Sequence, residues 1–236
     1  MKAIILAGGK GTRLKPYTAV FPKPLVPIDD VPILEVVIRQ LRFHKITDIT
    51  MAVGHLAELL MAYFGDGSKF GVQIDYSRED KPLGTSGPLA LIPDLTDTFL
   101  VMNGDVLTTL DYDDLVAYHR REGAAATIAM HERTVKIELG VIETDAGNQL
   151  LAYIEKPSFS YRVSMGIYIF EPVVLQYIQP GEHLDFPDLI HLLLQNGEKV
   201  MGYPYQGYWL DIGRPDDYEQ AVEEFTRLRG EFLKEN

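Results

Sequence analysis

The chain opens on an apolar run that stops abruptly at glycines. Lys2–Leu6 has the uncharged, branched interior of a buried strand, and Leu6-Ala7-Gly8-Gly9-Lys10-Gly11-Thr12-Arg13 follows at once. Glycines let the backbone approach an anion closely and aim its N–H groups at it. A strand that feeds such a loop makes its own C-terminal end a ligand edge, which favours open α/β architectures. Three kinds of loop compete. A P-loop needs G-x-x-x-x-G-K-[ST], and that spacing is absent. A dinucleotide fingerprint is met by Gly9-x-Gly11 but finds Leu14 at its third glycine. Asp29 and Asp30 do stand about 20 residues on, where a ribose-binding acid belongs. However, Pro16, Pro22, Pro24 and Pro27 interrupt the helix that fingerprint requires. The third kind is a different phosphate cradle, in which Arg13 can bridge phosphates with a bidentate fork and Lys23 is a point charge between two prolines.

Periodicity extends the pattern. Strand-like segments at Asp48–Val53, Val72–Tyr76 and Thr98–Met102 alternate with helical spacing at Ile33–His44, His55–Phe64, Ser86–Leu95 (interrupted by Pro93) and Asp111–Glu122, the last with an aspartate cap. Such alternation predicts a mostly parallel mixed sheet flanked by helices, a Rossmann-like α/β domain. After about Ala125 the pattern turns β-rich: Ala125–His131, Gly140–Glu143, Leu150–Glu155 and Ser164–Phe170 read as strands, with a turn at Asp145-Ala146-Gly147-Asn148. A helix at Phe186–Gln195, a strand at Lys199–Tyr203 and an amphipathic helix at Asp216–Phe232 complete the chain. No repeat, low-complexity tract or linker divides it. The expectation is one domain over 1–236, with an alternating α/β half at 1–124 and a β-rich half at 125–236.

Composition removes whole classes of function. With no cysteine there is no disulfide, thiolate zinc site or cysteine nucleophile. The net charge of −12 repels nucleic acid, and any phosphate site must be built locally from backbone amides, a few cations and a metal. No apolar run approaches the roughly 18 residues of a membrane span, and the first residues make a poor signal peptide. A cytoplasmic protein without a membrane or nucleic-acid partner is expected, and a homo-oligomer stays open.

The loop G-G-x-G-T-R-L, followed by Pro22-Lys23-Pro24-Leu25, resembles the signature of the sugar-1-phosphate nucleotidylyltransferases. Four further segments match in order: Glu79–Pro88, Val101-Met102-Asn103-Gly104-Asp105, Glu155-Lys156-Pro157 and Trp209-Leu210-Asp211-Ile212-Gly213. The resemblance implies a GT-A-like nucleotidyltransferase fold, with a nucleotide-binding half at 1–124 and a sugar-phosphate-binding half at 125–236. Its nucleotide site comprises Leu6, Ala7, Gly8, Gly9, Gly11, Thr12, Arg13, Lys23, Glu79, Gly84, Thr85 and Asp105. It implies Mg²⁺ on Asp105 and Asp211, which alone would read as a turn residue and a helix-capping acid. It implies a sugar-phosphate clamp from Gly104, Gly140, Glu155, Lys156, Ser164, Gly166 and Asp211, with Arg13, Lys23, Asp105 and Lys156 as the catalytic set. On residue chemistry alone, Glu155-Lys156-Pro157 is a surface charge pair before a turn. At 236 residues the sequence has no room for the β-helix appendage of longer relatives, so a short form without it, and without regulation through it, is expected.

The implied reaction joins a nucleoside triphosphate and a sugar-1-phosphate, releasing pyrophosphate. The acceptor is already an anionic nucleophile, so alignment and charge neutralisation are the whole task. Glu79 bears on the base. A carboxylate only accepts hydrogen bonds; guanine presents two adjacent donors, whereas uracil and thymine present one. GTP is therefore the expected donor, unless Glu79 is a solvated acid at the end of a strand. The segment from Glu79 also resembles mannose-1-phosphate guanylyltransferases, which makes mannose-1-phosphate the leading acceptor. Heptose-1-phosphate guanylyltransferases and uridylyl, thymidylyl or cytidylyl relatives are the alternatives. Ser164 stands where many relatives carry Asn, and Leu139 where an aromatic residue often precedes the glycine, so sugar identity is the open part. Two other classes compete: a glycosyltransferase using Asp111-Tyr112-Asp113 as a D-x-D metal motif, whose position favours helix capping, and a non-catalytic nucleotide-binding relative. The six histidines show no metal-ligand spacing.

Overall fold

The architecture follows from where the apolar faces can be buried. The computed structural model describes residues 1–14 and 17–234; Pro16 lies outside them. β1 (Lys2–Ala7) alternates its faces between two layers, Ala3 and Ile5 into one core and Ile4 into the other. The two-residue strands β2 (Pro27–Ile28) and β3 (Val31–Pro32) form a small hairpin turned at Asp29, whose φ is +56°. Pro32 then starts α1 (Ile33–Phe43), which is apolar on two sides. Leu34, Val37, Ile38 and Leu41 pack under the sheet, while Ile33 and Val36 join a separate cluster. The chain continues through β4 (Asp48–Val53), α2 (Ala57–Phe64), β5 (Gln73–Arg78), β6 (Phe99–Asn103), β7 (Val106–Thr108) and α3 (Tyr112–Glu122). The β-rich half holds β8 (Ala126–Lys136), β9 (Val141–Thr144), β10 (Leu150–Ile154), β11 (Ser158–Phe170), α4 (Phe186–Gln195), β12 (Val200–Tyr205), β13 (Trp209–Asp211) and α5 (Pro215–Phe232).

Seven strands form one sheet in the order β12-β8-β11-β6-β1-β4-β5. All are parallel except β11, which pairs antiparallel with both β6 and β8. The mostly parallel mixed sheet flanked by helices is thus as expected, and it runs through both halves of the chain. One face is covered by α1 and α2, the other by the cluster of Leu89, Phe99, Phe170, Phe186 and Leu189. A third cluster, including Leu14, Val26, Leu107, Ile212 and Phe225, seats α5 against the glycine-loop side.

Two expectations need correction. Ser86–Leu95 is not a helix. Only a 3-10 stretch forms at Gly87–Leu91, because the Ser86 and Gly87 N–H groups donate to Leu184 O (2.9 and 3.1 Å) and Pro88 has no N–H to give. The strands at Ala125–His131 and Ser164–Phe170 are much longer than the apolar runs suggested. β8 and β11 pair from Phe170↔Ala126 out to Ser158↔Lys136, with a bulge between Ser164 and Tyr168. Charged Glu132 and Arg133 mark where this ribbon leaves the core, not where the strand stops. β9 and β10 form a separate hairpin on it, closed by the expected turn, in which Asp145 Oδ1 accepts from the N–H of Gly147 and Gln149. Among the described residues no helix is long and apolar enough to cross a membrane.

Candidate active site

The C-terminal ends of β1, β4, β5 and β6 open onto a cavity of about 890 Å³. Its lining includes the whole loop from Leu6 to Arg13, together with Lys23, Glu79, Gly84, Thr85 and Asp105. The loop's glycines have distinct reasons. A Cβ on Gly8 would lie 3.0 Å from Glu79 Oε1, and one on Gly11 (φ +58°) 3.0 Å from Thr18 Cγ2. Gly9 meets nothing within 4 Å, so its freedom serves the cavity and not the packing. After the loop comes only a 3-10 turn, Thr12–Leu14. A dinucleotide loop would open directly into a helix, and none starts there among the described residues.

Four charged residues gather at one side. β13 pairs antiparallel with β7 and sets Asp211 opposite Val106, and Ile212 N–H donates to Asp105 O (3.2 Å). The sheet register thereby brings Asp211 beside Asp105 from more than a hundred residues away. Lys23, only 10% exposed, forms an ion pair with Asp105 Oδ2. Asp105 Oδ1 is buried and has no hydrogen-bond partner among the described residues. Burial, and then the charge of Asp105, push the Asp211 carboxyl above the usual carboxylate range, against the pull of Lys23 and Arg13. An orphaned carboxylate oxygen beside a second, destabilised carboxylate suits a hard cation such as Mg²⁺, which takes oxygen ligands and keeps open positions. The donor set therefore fits the metal suggested by the sequence.

At the opposite end, Glu79 is fixed by backbone. Its Oε2 accepts from Leu83 N–H (3.0 Å), and its Oε1 lies over Gly8 and Gly54. Gly84 holds φ +79°, and a Cβ there would stand 2.5 Å from Leu184 O, so both its backbone and its surroundings require glycine. Thr85 clasps the loop before α4: its N–H and hydroxyl donate to Asp185 Oδ1 (2.9 and 3.2 Å), and its oxygen accepts from Phe186 N–H (2.8 Å).

The remaining expected residues fall elsewhere. Gly104 N–H donates to Leu6 O (3.0 Å), tying the strand end of β6 to the loop. Ser164 donates to Tyr168 Oη (3.1 Å) and accepts from Gly166 N–H. Gly166, at φ +71°, lies against Asn103, whose Nδ2 a Cβ would meet at 2.5 Å. Gly140, Glu155 and Lys156 sit on the β9–β10 arm and do not line the cavity. Glu155 accepts from Tyr153 Oη at 3.3 Å, and Lys156 holds φ +45°. Asn103, His55 and His183 also line the cavity, and neither histidine belongs to a segment that carries the resemblance. His183 arrives through the backbone bonds between Leu83–Gly87 and Leu184, which no local sequence signal announces. Asp111 caps α3, accepting from the N–H of Asp113 and Asp114 (2.9 and 3.1 Å), as its position suggested.

The family model for the nucleotidyl transferases matches residues 2–227. The chain belongs to that family. It is 42% identical to the UTP–glucose-1-phosphate uridylyltransferase of Synechocystis sp. over 94% of this chain and 62% of that protein. It is 36% identical to mannose-1-phosphate guanyltransferase beta-A of Xenopus laevis over 92% of this chain and 62% of the relative. The chain thus spans a little under two thirds of these relatives' length. Among solved structures, HddC from Yersinia pseudotuberculosis superposes with a TM-score of 0.74 at 25% identity, covering 95% of this chain and 99% of HddC.

Proposed function

We propose that this protein transfers a nucleotidyl group from a nucleoside triphosphate to a sugar-1-phosphate, making an NDP-sugar and pyrophosphate. The observation that carries this reading is the convergence of Arg13, Lys23, Asp105 and Asp211 at one side of a cavity lined by the glycine loop. An oxygen of the sugar phosphate attacks the α-phosphorus, the bond to the β-phosphate oxygen breaks, and pyrophosphate leaves. The loop amides and Arg13 hold the triphosphate and neutralise charge as it builds on the leaving group. Lys23 lies ready beside Asp105 for the same anion. Mg²⁺ held by Asp105 and Asp211 would polarise the α-phosphate. Lys156 takes the sugar phosphate, and Glu155, Gly140, Ser164 and Gly166 shape the sugar side.

GTP and mannose-1-phosphate are the leading pair. Glu79 lines the cavity after β5, three strands along the sheet from β6, which Asp105 follows, and the resemblance to guanylyltransferases supports the pair. A second reading, UTP with glucose-1-phosphate, rests on two observations: the 42% identical relative bears that name, and Glu79 already accepts a backbone hydrogen bond. The test is pyrophosphate release with each of the four NTPs against mannose-1-phosphate, glucose-1-phosphate and a heptose-1-phosphate. GTP with mannose-1-phosphate is expected to turn over fastest. UTP or dTTP ahead severalfold with every sugar ends the Glu79 argument. No release with any pair ends the transferase reading, and a sugar transferred from an NDP-sugar without pyrophosphate would replace it with glycosyl transfer.

A further inference from the structure

A second cavity, of about 350 Å³, lies at the C-terminal end of α1, against the turn that precedes β5. This is the N-terminal edge of the parallel strands, opposite the glycine loop. Its lining carries four cations, Arg39, Arg42, Lys69 and Lys234, with Phe43 and Phe70, and no acidic residue among the described residues. On a chain of net charge −12 that is the reverse of the overall balance. Arg39 is neutralised by Glu35 (2.5 Å). Arg42, Lys69 and Lys234 form no ion pair with any described residue. They repel one another within a Debye length of about 10 Å, yet each is held in place by something uncharged. Lys69 Nζ sits 4.2 Å from the Tyr63 ring centroid and 4.6 Å from that of Phe70, and Lys234 Nζ sits 5.5 Å from that of Phe43. Aromatic faces position a cation without cancelling its charge. Arg42 lies over Gly71, where a Cβ would stand 2.9 Å from its Nε, so the missing side chain makes room for the guanidinium.

We propose that this cavity is a second anion site, which binds a small molecule bearing a phosphate or diphosphate group. Its size and concavity suit a small ligand, and the net charge of the chain disfavours long polyanions. Arg42 offers a fork to two phosphate oxygens, the two ammonium groups supply charge, and Phe43 and Phe70 give an apolar wall. The inference does not depend on the transferase reading, since none of these residues belongs to the candidate active site.

The experiment is calorimetric titration of the full chain with inorganic pyrophosphate. Wild type is expected to bind two per chain, and Arg42→Gln/Lys69→Gln one, with its pyrophosphate-release activity and melting temperature kept. Arg13→Ala/Lys23→Ala should retain only the second site, and adding the other pair of substitutions should abolish binding. The proposal is overturned if Arg42→Gln/Lys69→Gln binds with wild-type stoichiometry and affinity, or if Arg13→Ala/Lys23→Ala binds none. Competition in the Arg13→Ala/Lys23→Ala variant separates the sources. Displacement by an NDP-sugar at tenfold lower concentration than pyrophosphate assigns the site to a nucleotide-linked diphosphate, and the opposite order assigns it to the free anion. Absence of turnover in the unsubstituted chain, with the second site intact, would count against the transferase reading alone.

Discussion

Asp105 has two oxygens with different surroundings. Oδ2 faces Lys23, and Oδ1 is buried without a partner. Removing the charge while keeping the shape should therefore leave the fold and stop the chemistry. Asp105→Asn is expected to lower pyrophosphate release by at least about 10³-fold, in line with the loss of a preorganised charge, with an unchanged circular dichroism spectrum. Near-normal turnover in Mg²⁺ would refute the metal assignment. Asp211 makes a complementary prediction. Its carboxylate is partly buried and repelled by Asp105, so it costs stability when charged and no cation is present. Asp211→Asn should melt above wild type in EDTA, and Mg²⁺ should raise the wild-type melting temperature but not the variant's. A variant that melts lower in EDTA contradicts this. Both acids were legible in the sequence only as members of two segments in a shared order. Their adjacency depends on β13 pairing with β7, a two-stranded contact that neither segment signals by itself.

At the scale of elements, the legible parts were those whose burial pattern is local. β1, β4, α1 and α5 follow directly from their periodicity. The stretch at 86–95 has helical spacing, but its first amides bond to Leu184, so a tertiary contact overrides the local pattern. The same contact is a clasp. Thr85 and Asp185 hold the segment that carries Gly84 against the start of α4, and Asp185→Ala should free it. The expected outcome is a severalfold rise in the KM for the nucleoside triphosphate with a smaller change in kcat. Equal effects on every substrate would point to general destabilisation instead. Asp111 offers a sharper discrimination, because one residue serves two hypotheses. As a cap of α3 it contributes roughly 1 kcal/mol. As part of a D-x-D motif it would hold the reaction's metal. Asp111→Ala should lower the melting temperature by roughly 2–4 °C for a chain of this size and leave turnover within about twofold. A large loss of turnover without loss of stability would favour the motif.

One arm of the molecule packs little of its surface. Beyond His131 and Val163 the β8–β11 ribbon leaves the sheet, and with the β9–β10 hairpin it exposes Val135, Leu139, Ile142, Leu151, Tyr153 and Tyr161. Leu139 is 74% exposed and Leu151 64%. Apolar surface of this extent on one arm is not explained by the monomer's core. Gly140, Glu155 and Lys156 ride on the same arm, outside the cavity that holds the triphosphate candidates. Two parts of one proposed site therefore stand on surfaces of different burial: a sheet edge backed by the core, and a ribbon with few buried side chains. The role proposed for Lys156 predicts that the arm settles against the cavity when a sugar phosphate is aligned with the α-phosphate. Binding of both substrates should then order it. Hydrogen exchange at 137–157 is expected to slow several-fold with a non-hydrolysable triphosphate and sugar-1-phosphate together, and much less with either alone. Lys156→Ala should raise the KM for the sugar-1-phosphate about tenfold or more, consistent with a lost charge-assisted bond, and leave the affinity for the triphosphate unchanged. If exchange in the arm is unaffected by both substrates and Lys156→Ala is silent, the sugar phosphate is held by the sheet edge alone, and the apolar arm serves a purpose unrelated to catalysis.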